Sequence, residues 1–460
     1  LEVPLFSRKQ VTRFYYVFLI VSLFGPSLFS QQAKPWPRRR FPSISADNTF
    51  WVGTPRGLYR YQYEEDAWVV FGAHNGLPSN DVQMLMWDGE WLWAATPAGV
   101  AAGDVKLNKW LAYSDENGLP SNRVFTIAAE KEYVWVGTDR GAARYDKMIQ
   151  EWERFTVQSG LPDSAVFDIA VDGELVYFAT GRGLAEYDVR FEKWRTYGRA
   201  NGIPSDTIRF VFPTADYLWL FTDQGPARFN KKLHTAVPYT DPRLRYAAIR
   251  DLAVDNEQMW LATESGLYIY DPANSVWREF PQKNNLPDQS ILALCFNQDA
   301  RWFITGRGIS VFETRNQSWR RFDRTQGLSS DRYEAAASFL GRTFLFNERF
   351  IDHYRPQENQ WYLYPLKDLG SGESTRPLIS LNKEQGSYVR LGDDARFSLS
   401  GTRFRRQFNG TADYSMSGGT GVYSSRDFTR MDLKAQLQLP MGRTLNGFYD
   451  NTDLSQTLYG

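Results

Sequence analysis

The sequence predicts an all-β protein, a β-propeller of four-stranded blades. Three observations predict it: an aromatic marker, a threonine–glycine turn and a Gly-Leu-Pro turn recur together at a period of about 42 residues. The first marker is Trp51-Val52-Gly53-Thr54, followed by Gly57-Leu58-Tyr59-Arg60-Tyr61. It recurs at Trp93, Trp135, Tyr177, Trp219, Trp260 and Trp302. The threonines fall at 54, 96, 138, 180, 222, 263 and 305, each step being 42 residues except the one of 41 between Thr222 and Thr263. An eighth, eroded copy carries Phe344, Asn347 and Phe350 at the matching places. Eight copies predict eight blades, with seven plus an extra unit as the alternative.

A second tryptophan keeps the same period, at Trp68, Trp110, Trp152, Trp194, Trp277, Trp319 and Trp361. The turn follows as Gly76-Leu77-Pro78, Gly118-Leu119-Pro120, Gly160-Leu161-Pro162, Gly202-Ile203-Pro204, Asn285-Leu286-Pro287 and Gly327-Leu328-Ser329. The fifth copy lacks both around Val237 to Leu244. Thirteen of the 16 tryptophans sit at repeat positions, which makes them core residues rather than a scattered binding set. Within the second period, β-like runs cover Val82 to Met86, Trp91 to Ala95, Val100 to Val105 and Trp110 to Tyr113. One such blade cannot cover its own faces, so blades must stack and close.

The set Gly-Leu-Pro-Ser-Asn, Trp-Val-Gly-Thr and Gly-Leu-Tyr-Arg-Tyr resembles the two-component regulator propeller repeat, over residues 41–366. The resemblance implies an extracytoplasmic propeller of the kind used as the sensor part of histidine kinases. The kinase role itself is not carried over.

Flanking segments read differently. Arg8, Lys9 and Arg13 precede an apolar run from Phe14 to Phe24, broken by Gly25-Pro26, so residues 1–30 read as a secretory signal and 31–40 as a linker. Eleven apolar residues are too few for a helix to cross a bilayer. Residues 367–394 read as a second linker around Gly370-Ser371-Gly372. Beyond it, Met431, Leu433, Ala435, Leu437 and Leu439 alternate with polar residues up to the Pro440-Met441-Gly442 turn. Residues 395–460 therefore read as a small antiparallel β region, the opening of an outer-membrane barrel cut short. A small soluble β-sandwich is the alternative.

Basic and acidic residues balance at 53 each, so no global field favours nucleic acid or an anionic surface. The three histidines, His74, His234 and His353, fall in different repeats, and no metal site, cofactor or catalytic residue is expected from them. Cys295, the single cysteine, stands where other repeats have alanine and reads as a small buried filler.

The candidate site follows from strand order. In a four-stranded blade, the turn between strands two and three opens on the same face as the link to the next blade. Arg56, Arg140, Arg182 and Arg307 occupy the second turn position, with Arg349 in the eroded copy. The links add Asn80, Asn122, Ser164, Asp206 and Gln289. A ring of arginines and polar groups at the channel mouth suits carboxylates, sulfates or sugar acids. Alternatively, arginine is a repeat-wide turn residue pairing with neighbours such as Asp139. The expectation is an exported, non-enzymatic binding or sensory propeller, in the periplasm or at the outer membrane of a bacterium. It would recognise an extracellular glycan, peptide or protein partner. The alternatives are a propeller enzyme, either lyase-like and acting on polysaccharide or a quinone-dependent oxidoreductase, and an envelope assembly scaffold.

Overall fold

A computed structural model describes residues 41–366, apart from scattered loop positions, together with the backbone of strands between 374 and 449. The expected signal and linker, residues 1–40, lie outside the described residues. Residues 41–366 form eight four-stranded antiparallel sheets in chain order. The inner strands are Ser43–Ala46, Met84–Trp87, Val124–Ala129, Val166–Asp172, Ile208–Pro213, Ile249–Asp255, Ile291–Phe296 and Ala335–Phe339. Each is adjacent to the next along a central channel over most of the ring.

The repeat residues have direct structural reasons. In seven blades the second strand ends on the repeat threonine, whose buried hydroxyl donates to the carbonyl of the glycine three residues on, as in Thr138 Oγ1 to Gly141 O at 2.8 Å. That oxygen also accepts the backbone N–H two residues on, as from Arg140 at 3.1 Å, which fixes the turn. In the eighth blade Asn347 does this through Oδ1, accepting from Arg349 N and Phe350 N. The glycine is required by close approach: a Cβ at Gly141 would lie 2.3 Å from the carbonyl oxygen of Phe155 on the outer strand.

Eight apolar clusters fill the seams, each shared by two adjacent blades. The recurring contact sets a second-strand aromatic edge-on against the outer-strand tryptophan of the following blade. Trp51 meets Trp110 at 6.1 Å, Trp93 meets Trp152 at 6.2 Å, Trp219 meets Trp277 at 5.4 Å and Trp302 meets Trp361 at 6.4 Å. Such edge-to-face pairs add about 0.5–1.5 kcal/mol to the burial of each ring. The Gly-Leu-Pro turn belongs to the same contact, since a Cβ at Gly118 would lie 2.3 Å from the Trp152 indole. Leu77, Leu119, Leu161 and Leu328 of this turn are buried in the seams. The fifth blade places Ala236 where the tryptophan would stand. A one-turn helix, Pro242–Arg245, replaces the Gly-Leu-Pro link, and its Leu244 fills the leucine's place, only 1% exposed.

The ring closes. Phe344 of the last blade meets Trp68 of the first edge-on at 5.3 Å, the same contact as in the other seams. Each blade takes its four strands from one continuous stretch of chain, so no strand is exchanged at this seam. The seam is reinforced by Asp66, in the turn before the outer strand of the first blade. Its carboxylate accepts from Tyr61, from Tyr364 at 2.7 Å, from Arg342 at 3.0 Å and from Arg355. Burial alone would raise its pKa, but the two tyrosine hydroxyls and Arg355 hold it below the usual carboxylate range. Arg56 donates to the carbonyl of Leu366 across the same seam at 2.5 Å. After the ring, Ser374–Thr375 pairs with the outer strand of the first blade, and Leu378–Asn382 pairs with that of the last. The chain thus bridges both edges of the closing seam.

Beyond the ring, Ser387–Arg390, Phe397–Ser400, Phe408–Met416 and Gly419–Arg426 are strands. Leu433–Leu439 pairs antiparallel with Arg443–Tyr449, and the turn expected at Pro440-Met441-Gly442 lies outside the described residues. Among the described residues, no helix is long and apolar enough to cross a membrane.

Replacing Asp66 by Ala leaves two arginines facing one another without their carboxylate, and is expected to cost about 3 kcal/mol of stability. Urea unfolding checks this; a midpoint equal to that of the unaltered protein would show that the carboxylate does not hold the seam.

Candidate functional site

The turn-bearing face gains its character from a backbone irregularity. Five successive inner strands, those of the third to seventh blades, carry a β-bulge near their first residue. In the third blade Val124 faces Thr138 and Thr126 faces Gly137, which leaves Phe125 as the extra residue. The same shift leaves Phe167, Arg209, Arg250 and Leu292 as the extra residues in the next four blades. A bulge turns one side chain out of the pleat. The preceding residues, Val124, Val166, Ile208, Ile249 and Ile291, are buried and anchor each strand, while the bulged residues are partly or fully exposed at the channel mouth.

Three of these residues form a continuous row. Phe125 and Phe167 lie 5.6 Å apart between centroids, with planes at 31°. The Arg123 guanidinium caps Phe125 at 5.2 Å and the Arg209 guanidinium caps Phe167 at 4.5 Å. Arg209 donates from Nε and Nη2 to Asp223 of the neighbouring turn, at 2.9 and 3.2 Å. Arg250 and Glu264 repeat that pairing one blade on, at 3.4 Å.

Beneath the bulges lie two buried carboxylates. Asp168 accepts from Thr126 Oγ1 at 2.9 Å and from the N–H of Val211 in the next blade at 3.1 Å. Asp251 accepts from the N–H of Leu294 in the blade after it at 2.8 Å. These carboxylates satisfy backbone donors that an inner edge strand would otherwise leave unpaired. The sulfur of Met84 stands in the same place for the N–H of Ile127 at 3.1 Å.

The expected site residues share this face but do different things. Arg140, Arg182 and Arg307 are exposed, and their guanidiniums have no partner among the described residues. Asp139 faces Arg123 at 4.0 Å and not the adjacent Arg140. Arg56 is engaged with Leu366 at the closing seam. Asn80 and Asn122 accept through Oδ1 from the backbone of their own links, at Ala73 N and Asp115 N, at 2.8 and 2.9 Å. Asp206 pairs with Arg199 at 3.0 Å across the corresponding link.

The histidines do not converge. His74 is exposed in the link before Gly76-Leu77-Pro78, His234 packs against Tyr197 at 5.2 Å with the rings tilted by 38°, and His353 is buried at the closing seam. Cys295 is buried, with its sulfur 3.1 Å from Ser338 Oγ. Asp352 and Tyr333 form a buried titratable pair. Tyr333 donates to Asp352, and Ser329 donates to it from N at 2.8 Å and from Oγ at 2.7 Å. Burial pushes the Asp352 carboxyl up to about 7 against those hydrogen bonds. Both side chains are fully buried, out of reach of a substrate, so they organise the eighth blade rather than perform chemistry.

The bulged row was missed in the sequence, although a signal exists: the residue after each of five buried valines and isoleucines varies between Phe, Arg and Leu while its neighbours keep the period.

No family model and no curated protein matches the chain. Among solved structures, it is similar to the extracellular domain of a protein described as the hybrid two-component system BT3049 from B. thetaiotaomicron, at 15% identity over 90% of this chain and 71% of that one, with a TM-score of 0.45. It is similar to the corresponding domain of BT4673 from the same organism at 12% identity over 90% and 72%, with a TM-score of 0.44. A third likeness, 10% identity over 91% and 73% with a TM-score of 0.42, is to PorZ, a surface component of the type-IX secretion system of Porphyromonas gingivalis. Likeness of this degree concerns chain path, not ligand or activity.

His353 and Asp352 give opposite pH dependences. Burial lowers the His353 pKa to about 3, and neither ring nitrogen has a hydrogen-bond partner among the described residues. Between pH 3 and the ordinary 6.5 the unfolded chain binds the extra proton, so stability is lost as pH falls through that window. Asp352 binds its proton more tightly when folded, so its contribution is complete below about pH 4 and lost as pH rises through 7. His353→Phe is expected to gain about 2 kcal/mol on the unaltered protein between pH 7 and 5, and Asp352→Asn a similar amount between pH 5 and 8. Denaturant titrations at the three pH values check both signs.

Proposed function

We propose that this chain is an exported, non-enzymatic binding or sensing propeller that engages its extracellular ligand at the channel mouth of the turn-bearing face. The observation that carries this reading is the run of five inner-strand bulges. They present Phe125, Phe167, Arg209, Arg250 and Leu292 on the face where Arg140, Arg182 and Arg307 stand exposed. Bulges interrupt pairing, and their repetition at one end of a ring places a set of side chains on a rigid frame. Exposed guanidiniums on the same face as two phenylalanine rings suit a ligand with both apolar and anionic parts.

In this reading Arg140, Arg182 and Arg307 contact ligand directly, whereas Asn80, Asn122 and Asp206 shape the links around it. Arg56 belongs to ring closure. Residues 1–30 serve as the export signal and 395–460 as a β segment for outer-membrane attachment. The host compartment is then the periplasm or the outer membrane.

A thermal-shift screen against acidic and neutral oligosaccharides, peptides and purified envelope proteins identifies a ligand. The double variant Arg140→Ala with Arg182→Ala is expected to weaken its binding at least tenfold while leaving the melting temperature unchanged. Unchanged affinity would remove the channel mouth as the binding face, and product formation from any oligosaccharide would replace the binding reading by an enzymatic one.

A further inference from the structure

The row Arg123–Phe125–Phe167–Arg209 sets two aromatic rings between two guanidiniums, held by bulges at the channel mouth. We infer that this row is a subsite for an acidic oligosaccharide, the sugar rings lying along the aromatic edges and their carboxylates meeting the guanidiniums. The inference rests on the binding reading above and deepens it by naming a ligand class and its contacts.

Three features select that class. First, the aromatic rings offer apolar surface, which matches the C–H faces of pyranose rings. Secondly, both guanidiniums keep donors to spare. Arg123 is 69% exposed and stands 4.0 Å from its carboxylate, and Arg209 uses Nε and Nη2 on Asp223 while Nη1 is left over. A guanidinium has five N–H donors, so each can take a ligand carboxylate without losing its present partner. Thirdly, the inner strands have little backbone to offer a peptide. The N–H groups of Ile127, Val211 and Leu294 are already taken by Met84, Asp168 and Asp251. A peptide adding itself as a strand would find these donors spent, whereas a sugar needs side chains and not a free strand edge.

The anchoring is local. Asp223 braces Arg209 and Asp139 faces Arg123, so the row is held at both ends.

The test titrates the full chain with an α-1,4-linked galacturonate hexamer, its methyl-esterified form and a hexaglutamate peptide, reading affinity by calorimetry. The galacturonate hexamer is expected to bind, with the esterified form and the peptide at least tenfold weaker. Phe167→Ala is expected to weaken it at least fivefold. Arg123→Gln, on an exposed side chain that leaves the core untouched, is expected to do the same even if the phenylalanine variant folds poorly. No binding of the galacturonate hexamer, equal binding of the peptide, or affinity unmoved in Arg123→Gln would each overturn the inference. The broader reading is judged separately, by whether a ligand from the screen loses affinity in the Arg140 and Arg182 double variant.

Discussion

The structure depends on one repeated contact, an outer-strand tryptophan set edge-on against the second-strand aromatic of the blade before it. A four-stranded sheet of about 42 residues has two faces and too little chain to cover either. Its stability is therefore its neighbours'. Burying one such indole removes roughly 150–250 Å² from water, about 4–6 kcal/mol gross at the usual area coefficient. At Gly118 and Gly160 the absence of a side chain lets that ring in, at Trp152 and Trp194. Turn and tryptophan meet at one seam, and the fifth blade departs from the pattern at two: Ala236 stands opposite the turn at Gly202, while Leu244 takes the turn leucine's place beside Trp277 of the next blade.

Closure is the costly step. Seven seams join blades that are consecutive in the chain, but the eighth joins ends more than 300 residues apart. Loop-closure entropy for that separation is about 5 kcal/mol. This ring does not exchange a strand. It places a buried carboxylate, Asp66, among two tyrosines and two arginines at the seam, and lays the following chain along both edges. The eroded last repeat fits this account. Its Phe344 still meets Trp68, while Arg342, Arg355 and Tyr364 are turned to Asp66.

The same rigidity serves the site. Because the seams fix each blade against the next, a bulge in one inner strand holds its side chain at a set distance from the bulge beside it. Phe125 and Phe167 meet across a blade boundary for this reason. The buried Asp168 and Asp251 occupy backbone donors beneath them, so the mouth presents side chains.

By itself the sequence determined the four-stranded blade, the strand order and the burial of the tryptophans, because a period held by several markers at once requires blades that cover one another's apolar faces; it favoured eight blades over seven plus an extra unit, and the closed ring has eight. It also placed Arg140, Arg182 and Arg307 on the turn-bearing face, since strand order alone decides which turns share an end. Only the tertiary structure decided what those positions do. Arg56 looks like its three counterparts in the repeat, yet it bonds Leu366, a residue brought beside it solely by closure. Asn80 and Asn122 resemble ligand contacts until the link folds back and takes their oxygens. The bulges left only a varying residue in the sequence, because one extra residue in a strand keeps the period intact: the register shift lies in how two strands pair, and pairing is a property of the fold and not of either strand alone.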